Sequence, residues 1–477
     1  MNSRHAYRYN TAKLLAALLL VSLPGVADDQ RQMPSMVPLP NASGFAATFS
    51  TIGSIDLTNP FFQSLGSNGR ACASCHQPSD GWTVTPGHLQ ARFDASDGTD
   101  PIFRTNDGSN SPDADVSTVE ARRAAYSMLL SKGLIRVGIG IPANAEFVLV
   151  AVDDPYGHAS ASDLSLFRRP LPSTNLNFLS TLMWDGRETF LDPASKECIL
   201  GTSKCFSSMH FDLADQSNAA TMGHAQALQP LTAEQRESIV AFETTLFTAQ
   251  VFDRDAGELT ARGAHGGPMY LSKQDFYFGI NDVVSNDYRT AALFDSAAFK
   301  LYSPWDTLDR SGDDGGRSDA RRAVARGENL FNTKLIQIVG VKGLNDDLNA
   351  PMLQGTCTTC HDAPNAGNHS IPAPLDIGIA DASRRTPDMP LYTLRHNTAP
   401  FETVQTTDPG RALITGRWID IGRIKGPVLH ALAARAPYFH NGSAGDRGAV
   451  VDFYNQRFGV GLSDDEKADL VAFLRTL

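Results

Sequence analysis

Two stretches of the chain place apolar residues at the spacing of one helix face, and each is a copy of the other. Residues 231–246 (LTAEQRESIVAFETTL) align without a gap with residues 462–477 (LSDDEKADLVAFLRTL). In each, a Ser or Thr is followed three positions later by Gln or Glu, a capping box that satisfies free N–H groups at a helix start. Apolar residues then recur every three or four positions. The pattern predicts two matching helices and therefore an internal repeat.

An alternating pattern interrupts the first half of the chain. Along Ile135–Ile139 apolar residues alternate with Arg and Gly, and a second apolar stretch at Phe147–Val152 follows the turn residues Pro142–Asn144. Alternation with a short turn between two stretches is typical of a hairpin. A helix is predicted just before it, at Ser117–Leu130. We therefore expect a small β-hairpin insertion at about residues 104–158 in an otherwise mainly α fold.

Composition and charge narrow the class of protein. The chain has 477 residues, of which 42% are hydrophobic, 19% are charged and 25 are Phe. This is enough apolar material to exclude a disordered chain and too long for one core, so two or three domains are expected. The net charge of -11 argues against a nucleic-acid partner, which requires a clustered basic face.

Residues 1–27 predict a secretory signal peptide. Three basic residues precede the apolar stretch Leu14–Leu23, which is followed by the small residues Gly25–Ala27. This apolar stretch is too short to span a bilayer, and no later stretch is long and apolar enough. The pattern predicts export, most simply to a bacterial periplasm, and no membrane span.

Four of the six cysteines form two copies of the sequence Cys-x-x-Cys-His. The copies are Cys72, Cys75 and His76, and Cys357, Cys360 and His361. This sequence is the attachment site of a c-type haem, where the thiols bond to the haem vinyl groups and the His becomes an iron ligand. A redox pair or a zinc site is the alternative, but a His follows both copies. We therefore predict two covalently bound haem c groups.

Each haem motif lies in the same sequence context. A predicted helix precedes it, at Phe61–Leu65 in the first copy and Ala320–Phe331 in the second, and one of the matching helices follows it. Helix, haem motif and closing helix form the minimal cytochrome c unit. The sequence thus predicts two cytochrome c-like haem domains, residues 28–302 and 318–477, joined by an Asp-, Gly- and Ser-rich linker at residues 303–317.

The remaining cysteines, Cys198 and Cys205, lie in a polar stretch. In an exported protein a disulfide between them is expected. A metal or redox role is less favoured because no His or third Cys stands at a ligand spacing nearby.

Several local motifs resemble the di-haem bacterial cytochrome c peroxidase and MauG superfamily. They are WDGR at Trp184–Arg187, APYFHNGS at Ala436–Ser443, and the order of both haem motifs around them. The resemblance implies that the N-terminal haem reacts with peroxide and that the C-terminal haem is six-coordinate and transfers electrons. It also implies that Trp184 lies between the haems as an electron relay. On residue type alone, Trp184 would instead be a packing residue.

The resemblance bears on the sixth ligand of the second haem. Cytochrome c peroxidases use a Met shortly after the Ser that matches Ser443, and Tyr454 stands at that place here. MauG-like members have a Tyr there, and a Tyr ligand favours oxidised iron. Tyr454 is therefore predicted as the ligand, with an ordinary half-buried helix residue as the alternative. Met389 is the rival ligand, although its spacing from His361 is short.

The peroxide pocket departs from the family pattern. Gln216 matches the distal Gln of the family. Where the family has a catalytic Glu this chain has Gln226, and an amide cannot move a proton. His224 is close by, and an imidazole can exchange protons near neutral pH, so His224 is predicted to replace the Glu; a structural His is the alternative. His88 is a weaker candidate for a removable distal ligand.

The family also holds a calcium ion between its domains, partly through an Asn. Arg169 matches the position of that Asn, and Arg435 lies at another position beside the ion. Two cations beside Ca²⁺ are unfavourable, because the ion requires oxygen ligands. The sequence therefore argues against bound calcium.

Together the motifs favour a periplasmic di-haem peroxidase of the MauG type. Hydrogen peroxide would be reduced at the haem of His76, and oxidising equivalents would pass through Trp184 to the second haem. They would leave by oxidising a small cytochrome, a copper protein or a residue of a partner protein. A detoxifying cytochrome c peroxidase and a non-enzymatic two-haem electron carrier are the alternatives.

Overall fold

The computed structural model describes residues 31–189, 208–309 and 316–477, together with two short strands at Glu197–Cys198 and Cys205–Phe206. The predicted signal peptide and residues 310–315 of the predicted linker lie outside the described residues. Within the described residues, no helix is both long and apolar enough to cross a membrane.

The helices of the described residues are short. They are α1 Pro86–Ser96, α2 Val119–Ala125, α3 Ser127–Lys132, α4 Met209–Gly223, α5 Ala233–Thr244, α6 Pro268–Leu271, α7 Ser318–Thr333, α8 Ala412–Thr415, α9 Arg447–Phe458 and α10 Asp464–Leu474. The predicted helix at Ser117–Leu130 is thus two helices, α2 and α3, separated at Tyr126.

The strands of the described residues form six small sheets, so β structure is present well beyond the single predicted insertion. They are β1 Gln32–Pro34, β2 Leu39–Asn41, β3 Gly44–Ser50, β4 Ser54–Asp56, β5 Ile135–Ile139, β6 Phe147–Asp153, β7 Leu164–Arg168, β8 Glu197–Cys198, β9 Cys205–Phe206, β10 Leu246–Asp253, β11 Gly257–Glu258, β12 Ile336–Val339, β13 Met352–Gly355, β14 Leu391–His396 and β15 Thr403–Thr406.

The two matching helices predicted from the repeat are confirmed as α5 and α10. Both begin with the expected capping box, Thr232 with Gln235 and Ser463 with Glu466, in which each side chain bonds to the backbone N–H of the other. The helix predicted at Ala320–Phe331 lies within α7. The stretch predicted as a helix at Phe61–Leu65 forms a single 3-10 turn instead, where Asn59 caps the first residues.

Each closing helix packs over the haem motif of its own half. In the first half, Phe242 of α5 contacts the ring of Phe61, and the Phe61 ring lies 6.2 Å from that of His76. In the second half, Phe473 of α10 contacts Phe331 of α7, whose ring lies 5.8 Å from that of His361. The predicted repeat therefore corresponds to a repeated packing arrangement.

Helices α7 and α10 cross at Gly327. A Cβ atom added to Gly327 would lie 2.0 Å from the carbonyl oxygen of Asp469, so only glycine allows this approach. The core around the crossing also includes Phe299 and Tyr302, which precede the predicted linker. The division of the chain into two domains at residues 303–317 stays a prediction. Residues before the predicted linker pack in one core with residues after it.

The predicted hairpin is wrong. Strand β5 pairs antiparallel with β7, and β6 pairs antiparallel with β14, in the sheet order β15-β14-β6. The start of β6 is fixed to the second half of the chain, because Glu146 donates its N–H to Gly416 and accepts from Asn397. The insertion therefore pairs with a strand of the second half and is not an appendage of the first half alone.

The disulfide predicted between Cys198 and Cys205 lies largely outside the described residues. The backbone places the two residues opposite each other in the β8–β9 pair, while their side chains are not described. The disulfide stays a prediction.

Candidate haem sites and the residues between them

The first Cys-x-x-Cys-His motif lines a large cavity. Cys72 and Ala73 lie in a 3-10 turn, which brings Cys72, Cys75 and His76 to one wall. The Nδ1–H of His76 donates to the carbonyl oxygen of Trp82 at 3.0 Å. This bond fixes the ring and leaves Nε2 as the free ligand atom.

The second motif repeats this geometry at a second cavity. Cys357 starts a 3-10 turn, and Cys357, Cys360 and His361 lie in the cavity wall. The Nδ1–H of His361 donates to the carbonyl oxygen of Gly367 at 2.5 Å. The two sites therefore present the same three atoms, two thiol sulfurs and one imidazole nitrogen.

The chemistry of these residues fits a c-type haem rather than a redox thiol pair. Burial raises the pKa of the Cys72 and Cys357 thiols to about 12, whereas redox-active pairs have lowered pKa values. Burial lowers the pKa of His76 to about 4, so the ring is neutral, as an iron ligand must be. The empty spaces are about 1640 and 1930 Å³, including the parts open to solvent. They leave ample room for a porphyrin.

A buried acid and a base meet in the first cavity. The Nδ1–H of His224 donates to Oδ2 of Asp107 at 2.5 Å, and the other carboxylate oxygen accepts from Arg70. Burial would raise the pKa of Asp107, but His224 and Arg70 outweigh it and hold that pKa below its usual range. Asp107 is therefore a carboxylate that orients His224 and leaves Nε2 to exchange a proton.

Of the other residues predicted for the peroxide pocket, some line the first cavity and some lie outside it. Gln216 lines the first cavity together with His224. Gln226 is exposed, and its side-chain oxygen accepts from Asn68 at 3.3 Å outside the cavity wall. His88 also lies outside the wall and pairs with Asp80 at 2.5 Å, with its side chain 55% exposed. The structure thus brings together Gln216 and His224, but not Gln226 or His88.

Trp184 lies between the two cavities and lines both. Its indole N–H donates to the carbonyl oxygen of Arg169 at 2.7 Å, and its ring meets that of His440 edge to face at 6.1 Å. The structure thus places Trp184 in the walls of both cavities, and its position between two haems and its role as a relay stay predictions.

The rest of the WDGR motif fixes this tryptophan. Asp185 is fully buried and pairs with Arg187 at 2.8 Å and with Arg168 at 2.5 Å. Gly186 has a φ of 75°, a left-handed conformation that favours glycine. Arg168 also pairs with Asp408 of the second half at 2.6 Å, so the tryptophan is anchored to both halves.

Tyr454, on α9, lines the second cavity with His361. Burial raises the pKa of its phenol, so only the charge of a bound metal ion would ionise it. Met389, the rival ligand, does not line this cavity: it packs with Met128, Leu134 and Phe167 in a separate cluster. The geometry therefore favours Tyr454 over Met389, whereas ligation itself stays a prediction.

Comparison with known sequences finds relatives that are named cytochrome-c peroxidase. The chain is 33% identical over 136 residues to cytochrome-c peroxidase IdrP2 of Denitromonas iodatirespirans, and 28% identical over 140 residues to cytochrome-c peroxidase IdrP1 of the same organism. These matches cover 26% and 25% of this chain and 36% of each relative. The chain therefore spans about a third of the length of the relatives it matches.

Over these residues the chain is similar to proteins named cytochrome-c peroxidase. No family model matches it. A crystal structure of a MauG-like protein associated with microbial copper homeostasis covers 93% of this chain and 92% of that chain at 16% identity, with a TM-score of 0.35. That score does not establish a shared fold.

Two further residues of the first cavity, Asp107 and Glu243, were not predicted from the sequence. Asp107 lies 117 positions from His224, inside the stretch predicted as an insertion, so no local pattern marked it. Glu243 lines the first cavity, and burial raises its pKa to about 7. A signal for Glu243 was present, because the repeat alignment places an acid there and Leu474 at the matching position of α10.

Proposed function

We propose that the protein is a di-haem c-type peroxidase-like oxidoreductase that reduces hydrogen peroxide in the first cavity. The observation that supports this most is the position of Trp184, which lines two cavities that each contain a Cys-x-x-Cys-His motif. In this proposal each motif holds one covalently bound haem c, with His76 and His361 as iron ligands. Bound haem supplies one-electron redox chemistry at its iron.

The protein moves the protons that this reaction requires. Reduction of hydrogen peroxide to water consumes two electrons and two protons. Nε2 of His224 takes the first peroxide proton and returns it to the leaving oxygen, while Asp107 holds the imidazole in the required tautomer. Gln216 lies in the same wall and orients the peroxide by hydrogen bonding.

Electrons reach this cavity by way of Trp184 from the second cavity. A Tyr454 ligand there would stabilise oxidised iron more than a Met would. The second site is then suited to storing oxidising equivalents, in the manner of MauG. A small cytochrome, a copper protein or a partner protein residue supplies the electrons, in the periplasm if residues 1–27 direct export as predicted.

The test is the reaction of the purified haem-loaded protein with hydrogen peroxide in the presence of a reduced small cytochrome c. We expect turnover that falls by roughly 10²- to 10⁴-fold in kcat for His224→Gln, the usual contribution of a positioned acid–base group. His210→Gln is the matched control, because His210 is exposed on α4 and pairs with the exposed Glu237.

The spectrum of the oxidised protein distinguishes the alternatives. A high-spin component that changes on addition of peroxide agrees with the proposal. Two six-coordinate haems that do not respond to peroxide would contradict it and favour an electron carrier. If Tyr454→Phe left the second haem spectrum unchanged, the MauG-like part of the proposal would fail and a detoxifying peroxidase would be favoured.

A further inference from the structure

Three buried cations lie between the two cavities. Arg169, Lys425 and Arg435 line both cavities, and they are only 5%, 6% and 9% exposed. Three buried positive side chains close together are unusual, because burying a charge without an opposite charge is costly.

Backbone oxygens, rather than carboxylates, surround the first of these cations. The guanidinium of Arg169 donates to the carbonyl oxygens of Lys132 at 2.7 Å, Val84 at 2.7 Å and Arg435 at 3.1 Å. These oxygens come from three separate segments, and the last belongs to the second half of the chain. Converging carbonyl oxygens are the ligands that a hard divalent cation requires, and here a side chain already fills the space between them.

The other two cations are also paired only with carbonyl oxygens. Lys425 Nζ donates to Thr181 at 2.5 Å, and Arg435 donates to Val428 at 2.5 Å. Nε of Arg435 is buried and has no hydrogen-bond partner among the described residues. Within residues 31–189, 208–309 and 316–477, none of the three cations lies within 4.0 Å of a carboxylate oxygen.

Anions bound in the adjoining cavities would therefore stabilise these three charges. Burial together with the charge of Arg435 lowers the pKa of Arg169 to about 10 and that of Lys425 to about 7. Carboxylates placed in the cavities would reverse this effect and keep both side chains charged. A c-type haem carries such groups, its propionates, on the edge away from the attached vinyl groups.

We propose that Arg169, Lys425 and Arg435 form a built-in cation site, which binds the propionate carboxylates of both haems and takes the place of a divalent metal ion between them. The inference rests on the proposed function only in requiring that both cavities hold haem.

The first test is the metal content of the unaltered haem-loaded protein. We expect no bound calcium after dialysis against calcium-containing and then metal-free buffer. We also expect the thermal unfolding midpoint to be the same with added CaCl₂ and with EGTA. One calcium ion per chain, or a lower midpoint in EGTA, would overturn the proposal. This measurement requires no variant and so does not depend on a variant folding.

The second test is a redox titration of both haems in the variants Arg435→Gln and Lys425→Gln. Removing a positive charge near both haems favours their oxidised forms, so both midpoint potentials should fall, while Arg435→Lys should restore most of the change. Arg321→Gln is the matched control, because Arg321 is buried and donates to the carbonyl of Ala256 outside both cavity walls.

The titration separates this proposal from the proposed function. Potentials that do not move, or that move at one haem only, would contradict a site shared between the haems. A protein that binds two haems and shows both shifts but reduces no peroxide would contradict the proposed function alone.

Discussion

At the scale of single residues, His224 depends on a carboxylate that is distant in sequence. Asp107 accepts the Nδ1–H of His224 at 2.5 Å and is itself buried. Without that carboxylate the imidazole can adopt the other tautomer, in which Nε2 carries the proton and cannot take one from peroxide.

We therefore predict that Asp107→Asn lowers kcat for peroxide reduction by about 10²-fold. Because Asp107 acts through His224, the double variant with His224→Gln should be no slower than His224→Gln alone. Steady-state kinetics of the two single variants and the double variant test this. Additive losses would show that Asp107 has a separate role, for instance in holding Arg70.

Glu243 gives the protein a pH-dependent stability. Burial raises its pKa from 4.5 to about 7, so the folded state keeps the proton while the unfolded chain loses it. The stabilisation is complete below pH 4.5 and is lost as the pH rises through 7. We predict that Glu243→Gln raises the free energy of unfolding at pH 8 by roughly 1–3 kcal/mol and has little effect at pH 4.5.

Urea unfolding of the haem-loaded protein at both pH values measures this difference. Glu237→Gln is the control, because Glu237 lies on the same helix α5 but is exposed. Equal effects of Glu243→Gln at both pH values would contradict the prediction.

Single residues could be predicted where a chemical motif is contiguous. Cys72, Cys75 and His76 belong to one five-residue motif, and the structure brings them to one wall. Asp107 and Glu243 reach the same wall only through tertiary packing. A sequence pattern cannot express the contact of Asp107 with His224 across 117 positions, whereas the repeat alignment marked Glu243 as an acid at an apolar position without showing what it lines.

At the scale of elements, the sequence predicts helix starts better than strand pairing, because a helix start depends on neighbouring residues. The capping boxes of α5 and α10 were predictable because the bonds join residues three positions apart. The β5–β6 hairpin was wrong because strand partners are chosen by burial and long-range hydrogen bonds. The alternating stretch and the apolar stretch after the turn both form strands, yet their partners are β7 and β14.

The pairing of β6 with β14 leads to a prediction about stability. Phe147 begins β6 and is 1% exposed in a core that contains Tyr392 and Leu394 of β14. We expect Phe147→Ala to lower the free energy of unfolding by about 3–5 kcal/mol, as for other large-to-small core changes.

Val150 provides the matched control on the same strand. It is 44% exposed, so Val150→Ala should change the unfolding free energy by less than about 1 kcal/mol. Denaturant unfolding followed by circular dichroism tests both variants. Similar losses for the two would mean that β6 does not hold the core together.

At the scale of the whole molecule, the two cavities form one functional unit only if charge can pass between them. Trp184 lines both, and its indole is fixed by the carbonyl of Arg169. Sequence resemblance predicted this position, because WDGR is a short motif. The resemblance also brought Arg169 and Arg435 together, whereas Lys425 was found beside them only in the structure.

We predict that Trp184→Phe lowers peroxide turnover by at least about tenfold, or roughly 1.4 kcal/mol in the activation barrier, and leaves the absorbance spectrum of each haem unchanged. A phenyl ring keeps the packing but is much harder to oxidise. Stopped-flow spectroscopy of the two haems after mixing with peroxide tests this. Trp418→Phe is the control, because Trp418 contacts Phe147 and lies outside both cavity walls.

Strand β6 of the first half belongs to a sheet of the second half, and this pairing would hold the two halves together if the chain were cleaved. Strand β6 bonds along its length to β14, and Arg168 is buried between Asp185 of one half and Asp408 of the other. If a protease site were engineered between residues 309 and 316, cleavage would yield two polypeptides that still migrate as a single particle. On this prediction, strand pairing and buried ion pairs preserve the spacing between the two Cys-x-x-Cys-His motifs after the chain is cut.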